Sequence, residues 1–342
     1  MRSVSRIGRC GYLFYIITMF VCMTCMVSCG KKGVSGQETV AKTEIMVPYT
    51  EKQMLMISTS QRNAENKAYT DEIWGAKMDK QGHTYDEVFD VRMKEFFLRL
   101  YVMSMTAKSR GITLTDKENE TVSKLSQEYI DAALKSGTKL NELTSDEVNM
   151  MFRDYALAMK LSKSVTGTKE LEVSENEARI MDLECIVLDN KEQAERALFE
   201  VNAEGADFSE IARKKSIEKE IKVKAGHADL PKEVDEKVSL LSDSEISDII
   251  EIGGKYYIYK CIKGYDEDAT ADRKELMEKS RRDEELNKIY DEYLKYNNVN
   301  LNMDEWNKFV NSKKTVFKEA DFFRYTKRVL IIQNNLKEIS KI

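Results

Sequence analysis

Histidine is almost missing from the 342-residue chain: His83 and His227 are the only two, and they lie far apart. A histidine-based metal site or a Ser-His-Asp triad needs imidazoles held beside specific partners, so neither is expected. Proline is as scarce, with Pro48 and Pro231 standing singly, which excludes proline-rich and collagen-like chains. No Gly-rich phosphate loop, zinc spacing or Gly-x-Ser-x-Gly elbow is present, so no metal or other cofactor is implied. An excess of positive charge is missing as well. The 54 Lys and Arg against 59 Asp and Glu give a formal charge of −5, which repels a phosphate backbone and argues against nucleic acid as a partner. What is there is an ordinary globular composition, 42% hydrophobic and 33% charged, in a chain long enough for two or three modules.

One long apolar run occurs, at the beginning. Arg2, Arg6 and Arg9 precede the stretch from Tyr12 to Val27, which ends in Val27-Ser28-Cys29. This is the basic, apolar, small-residue order of a secretory signal, and about 16 apolar residues fall short of the roughly 20 that a spanning helix needs. The end of the run resembles a bacterial lipobox, with Met26 where leucine is usual. That resemblance implies removal of residues 1–28, a diacylglyceryl group on Cys29, and a lipid anchor at the extracytoplasmic face of the cell membrane. Two acyl chains hold where one is marginal. Cys10, Cys22 and Cys25 would leave with the signal, so Cys22-x-x-Cys25 is no redox motif and only Cys185 and Cys261 remain as free thiols. Residues 29–45 read as the lipidated cysteine and a flexible tether.

Beyond Pro48 the pattern turns helical. Helices are expected over about Thr50 to Tyr69 and over Asp86 to Arg110, where Phe89, Met93, Phe96, Phe97 and Leu100 form an apolar stripe and Gly111 suits the left-handed end. Thr115 with Glu118, Thr144 with Glu147, and Ser174 with Glu177 have capping-box spacing. Met54, Met56, Met93 and Met151 read as helix core, with an adaptable apolar groove as the alternative. Near Ala178 the character changes. Met181 to Leu188 is a strand; Lys191 to Val201, Asp207 to Lys215 and Val234 to Leu241 are short helices. Ile249 to Ile252 and Lys255 to Ile262 form a hairpin about Gly253-Gly254. The polar Lys/Glu-rich stretch before His227 is assigned to solvent. From about Thr270 to Tyr296 a charged helix carries Leu276, Leu286, Ile289 and Tyr290 on one side, and it must pack back on the earlier helices to bury them. The basic tail from Lys313, with Phe317, Phe322, Phe323, Val329 and Ile332, reads as a packed terminal helix, with a membrane-surface or partner helix as the alternative. The fold class is therefore α+β: helical segments 46–175 and 267–342 around an inserted module at 176–266.

The segments LECIVLDNKEQAERALFEVNAEGADFSEIARKKS and SDSEISDIIEIGGKYYIYKCIKGYDED resemble the opening and the close of a parvulin-type peptidyl-prolyl isomerase domain. KSRGITLTDKENE and ADRKELMEKSRRDEELNKIYDEYLKY resemble the helices that flank it in PrsA-type lipoprotein foldases of Gram-positive bacteria and in the related SurA-type periplasmic chaperones. The resemblance implies a SurA-like chaperone domain built from both ends of the chain, unfolded or partly folded exported polypeptides as partners, and homodimerisation as one assembly. It places Cys185 and Tyr257 where the family has its two histidines and Glu218 at the acidic position between them. Leu230 and Val234 take the place of the proline cradle, and Ala225-Gly226-His227-Ala228-Asp229-Leu230 stands where the family has Gly-Gly-Asp-Leu-Gly. With both imidazoles replaced, the expected function is a folding factor with weak or no isomerase activity. An active isomerase with an altered site, and a structural or ligand-binding surface lipoprotein, are the alternatives. Cys185 reads as an inert buried residue. If Tyr257 faces Cys185, Cys261 lies about 13 Å along the strand, beyond disulfide reach. His227 reads as a loop residue without a role, or as a replacement for a lost imidazole.

Overall fold

A computed structural model of the chain describes residues 41–135, 143–167, 171–312 and 321–326. The signal-like run, Cys29, Phe317, Val329 and Ile332 lie outside the described residues. The elements run β1 (Thr43–Val47), α1 (Glu51–Ala68), α2 (Tyr85–Ser109), α3 (Asp116–Lys135), α4 (Ser145–Thr166), α5 (Glu175–Ala178), β2 (Ile180–Leu188), α6 (Lys191–Val201) and α7 (Phe208–Lys215). They continue with β3 (Lys222–Gly226), α8 (Lys232–Val238), β4 (Ile250–Ile252), β5 (Lys255–Lys263), α9 (Glu267–Tyr296), β6 (Asn297–Leu301) and α10 (Met303–Ser312). Two compact units result, Met1–Gly167 with Asp283–Ile342, and Thr168–Arg282. The class is α+β. Among the described residues no helix is long and apolar enough to cross a membrane.

The helices of the first unit start where side chains supply the missing backbone partners. Thr50 with Gln53, Thr84 with Glu87, and Thr144 with Glu147 close complete capping boxes ahead of α1, α2 and α4. Thr115 and Glu118 exchange the same two bonds ahead of α3. Each such cap is worth about 1 kcal/mol. Ser174 caps α5 in one direction only, because the Glu177 carboxylate turns to Arg281. The apolar faces meet in one core that includes Met54, Met56, Phe97, Phe152 and Phe309. Met93 and Met151 are buried there too, so these methionines are core and line no open groove. Arg62 is also buried: its guanidinium lies 3.6 Å from the Trp74 ring centroid and 2.7 Å from Asp86.

One reading from sequence is corrected by the first strand. The tether does not extend through residue 45, because Thr43–Val47 is strand β1, paired in parallel with β6 from Thr43↔Asn297 to Val47↔Leu301. The partner lies far along the chain, so local patterning carried no sign of it. β6 and α10 were likewise hidden behind the charged helix. The described part of the tail packs inward, with the Phe322 ring 4.6 Å from Phe152 and its backbone N–H donating to Ser60 Oγ at 2.8 Å.

The second unit is a four-stranded antiparallel sheet in the order β3-β2-β5-β4. Gly253 and Gly254, with φ of 58° and 78°, make the tight turn between β4 and β5. Along β2 the even positions Ile186 and Leu188 face α6 and α7, and pack on Ala194, Ala197 and Phe208. The odd positions Leu183, Cys185 and Val187 face α8 and pack with Val234 and Val238. Lys222–Gly226, assigned to solvent from sequence, is instead edge strand β3. Its apolar residues are only Val223 and Ala225, and its lysines face out, Lys224 to Asp182 at 2.8 Å. Leu276, on α9, is 65% exposed and does not join a buried stripe.

Phe309 is fully buried on α10 with its ring 6.3 Å from Phe97. Phe309→Ala should lower stability of the helical unit by about 3 to 5 kcal/mol in urea denaturation, a loss set by the cavity left behind.

Candidate functional site

The α8 side of the sheet holds the residues singled out from sequence. Cys185 on β2 stands opposite Tyr259 on β5, and Val187 stands opposite Tyr257. Tyr257 is thus a diagonal neighbour of Cys185, correcting the expected face-to-face pairing. The turn sets this register by pairing Ile252 with Lys255, which fixes every later position of β5. Cys261 pairs with Leu183 and is itself diagonal to Cys185, on the same face. Both thiols are free and buried. They are unpaired because they are out of register by two residues, and the separation assumed from sequence was too large.

Leu230 and Val234 pack into the same cluster as Cys185, Tyr257 and Tyr259. Glu218 lies at its edge. Ile217 N–H bonds to the Val187 carbonyl at 2.9 Å, Ser216 Oγ accepts from Val187 N–H at 3.1 Å, and Glu218 is exposed and pairs with Lys255 at 3.1 Å. The structure therefore brings four of the five positions into one apolar cluster and leaves Glu218 outside it as half of an ion pair. Neither Tyr259 nor Lys255 is given a site role by the sequence. The alternation of positions 257, 259 and 261 along β5 was the available signal for Tyr259.

The cluster is apolar and largely buried. Cys185 is 4% exposed and Tyr259 5%. Burial pushes the Cys185 thiol up to about 12, against a smaller lowering by its hydrogen bond with Tyr259 and a further rise from the Glu218 charge. Burial, and then the neighbouring Cys185, push the Tyr259 phenol upward as well. The Tyr257 and Tyr259 rings stack in parallel at 6.4 Å. Neither sulfur nor phenol transfers a proton readily at neutral pH, so this arrangement offers apolar area and neutral hydrogen bonds. Depressions of about 610 Å³ and 380 Å³ open elsewhere, the first beside Arg179, Leu240 and Lys263 at the far end of β5, the second beside Phe199 on α6.

The loop after β3 is tightly held. Gly226 N–H donates to Asp229 at 2.8 Å, Arg273 pairs with Asp229 and donates to the His227 carbonyl at 2.9 Å, and His227 Nδ1 lies 2.7 Å from Asp235. Ala228 is left-handed with φ of 67°, a strain of about 1 kcal/mol for an L-residue.

The Cys185 thiol stays protonated in the fold to a higher pH than its ordinary 9.0, so burial of the neutral form stabilises fully below pH 9 and is lost as pH rises toward 12. Peptide mapping after iodoacetamide at pH 8 should find Cys185 unmodified in native protein and modified in urea. Rapid native alkylation would contradict the buried neutral thiol.

No protein-family profile matches the chain. Foldase protein PrsA of Streptococcus equi subsp. zooepidemicus (strain MGCS10565) is 29% identical over 181 residues, 48% of this chain and 54% of that protein. Foldase protein PrsA 1 of Streptococcus pyogenes serotype M1 is 29% identical over 181 residues, covering 48% and 52%. The chain thus spans about half the length of the curated relatives it matches. Among solved structures, foldase protein PrsA from Streptococcus pneumoniae is 19% identical, covers 70% of this chain and 100% of its own, and has a TM-score of 0.26. Peptidylprolyl isomerase PrsA from Bacillus cereus is 15% identical, covers 69% and 97%, and has a TM-score of 0.32. Scores this low carry no argument about shared architecture. Over about half of its length, the chain is similar in sequence to PrsA foldases of streptococci.

Proposed function

We propose that this protein is an extracytoplasmic folding factor that binds exported, partly folded polypeptides, and that its α+β module serves as a binding surface with little isomerase activity. One observation carries the second half of this reading. At the positions that the resemblance assigns to the family's imidazoles stand Cys185, buried with its thiol pushed up to about 12, and Tyr257, stacked on Tyr259. Rotation about X-Pro faces a barrier of about 18 to 20 kcal/mol, and only a site that binds the twisted amide better than the planar one lowers it. A neutral apolar cluster grips both forms alike. The membrane attachment belongs to the same proposal: Cys29, carrying two acyl chains, would hold the protein at the outer face of the membrane.

A second reading, an active isomerase built on Cys185, Tyr257 and Glu218, draws on the gathering of Cys185, Tyr257, Leu230 and Val234 in one cluster with Glu218 at its edge. A pair of assays separates the two. The protein should suppress aggregation of a chemically unfolded client, and absence of suppression would sink the folding-factor reading. In proline-limited refolding it should leave the slow phase within about twofold of the uncatalysed rate. Acceleration that disappears in a Cys185→Ala, Tyr257→Phe variant would establish the altered-site enzyme instead. For the anchor, Cys29→Ala should move the protein from the membrane fraction to the soluble fraction, and unchanged fractionation would refute lipidation at that residue.

A further inference from the structure

His227 is an exposed residue with a buried support. Its side chain is 68% exposed, while the Asp235 side chain that meets its Nδ1 at 2.7 Å is only 12% exposed. The same Asp235 oxygen accepts the Ala228 N–H at 3.4 Å, so one buried carboxylate fixes both the imidazole and the backbone behind it. Arg273 fixes the other side by donating to the His227 carbonyl and pairing with Asp229. Ala228 stays left-handed under these restraints, and strain of that kind persists only where the surroundings over-determine it. The restraints converge on one feature, the direction of the imidazole.

In the neutral ring, Nδ1 must carry the proton it shares with the carboxylate, which leaves Nε2 as a fixed acceptor facing solvent. The loop that carries His227 also carries the half-buried Leu230, while Val234, next to Asp235 on the following helix, is buried in the cluster behind it, so the acceptor shares its loop with one apolar side chain that remains partly accessible. An extended polypeptide offers what such a site takes: apolar side chains together with backbone N–H groups in need of acceptors. A metal is a poor match, because Asp229 in this loop is committed to Arg273 and Gly226, and a single ring nitrogen is no ligand set.

We propose that His227, oriented by Asp235, is a polypeptide-contacting residue of this module, accepting a hydrogen bond at Nε2 from the backbone of a bound client beside the half-buried Leu230. This rests on the polypeptide-binding reading above. His227 touches the client, and Asp235 is a positioning residue that acts through it.

The test uses the full chain with reduced, carboxymethylated α-lactalbumin as the unfolded probe. His227→Ala should weaken binding about fivefold, the worth of one hydrogen bond, and His227→Gln, which keeps an acceptor, should recover part of the loss. Asp235→Ala removes the acceptor that holds the proton on Nδ1 and should let the ring populate the Nε2–H tautomer. Imidazole ¹⁵N shifts should report that mixture of tautomers, and binding should fall toward that of His227→Ala. In the wild type, addition of probe should move the Nε2 resonance. If wild type binds the probe and His227→Ala binds it equally well, the role of His227 is refuted and the folding-factor reading survives. If wild type binds no unfolded probe, both fall.

Discussion

Everything in the helical unit depends on one long-range closure, the pairing of β1 with β6. Parallel strands cannot be joined by a tight turn, so a crossover of some length is obligatory. Here nearly the whole described chain is that crossover, from Val47 to Asn297. Closure is reinforced next to the strands. Glu44 accepts from Asn298 at 2.8 Å, Glu51 N–H donates to Glu305 at 2.8 Å, and Ser312 bonds to Glu51. The entropy of closing a loop grows only with the logarithm of its length, about 0.6 kcal/mol per doubling. A second folded unit can therefore occupy the crossover at small thermodynamic cost, and the ends of the chain are committed to making one core.

That closure also explains which parts of the fold were legible in sequence. The helices announced themselves through period and caps: Thr144 and Glu147 lie three apart and bond as their spacing predicts. The strand at Ile180–Leu188 was readable because its apolar run is long and buried on both faces. β1 and β6 were not, because each is five residues long and half exposed, and each makes sense only against a partner far away in sequence. β3 was hidden by composition. Three of its five residues are Lys222, Lys224 and Gly226, and its place at an edge is what permits lysines there.

The candidate cluster was legible to the same depth. Sequence marks β5 as a strand, and alternation alone puts residues 257, 259 and 261 on one face. It cannot say which residue of β2 each one meets. That depends on the two-residue turn at Gly253-Gly254, and moving the register by two exchanges Tyr257 for Tyr259 as the partner of Cys185. His227 shows the opposite limit. Its partner Asp235 is eight positions on, across Pro231 and into α8, and neither helical nor strand periodicity joins such a pair.

The chemistry of the site follows from where charge is allowed. Inside the cluster burial holds the Cys185 thiol and the Tyr259 phenol in their neutral forms. The charges stand at the rim, with Glu218 on Lys255 and the Asp235 carboxylate against the His227 ring. A twisted prolyl amide loses its resonance, which shifts electron density onto nitrogen, and a catalyst must answer that change with dipoles already in place. Apolar contact does not answer it. Such contact lowers the free energy of the planar and twisted forms together, which tightens binding and leaves the barrier where it was. The buried Cys185, Tyr259 and Val234 with the half-buried Tyr257 offer apolar contact, so under the proposed reading this face would hold an apolar chain without telling its two amide geometries apart.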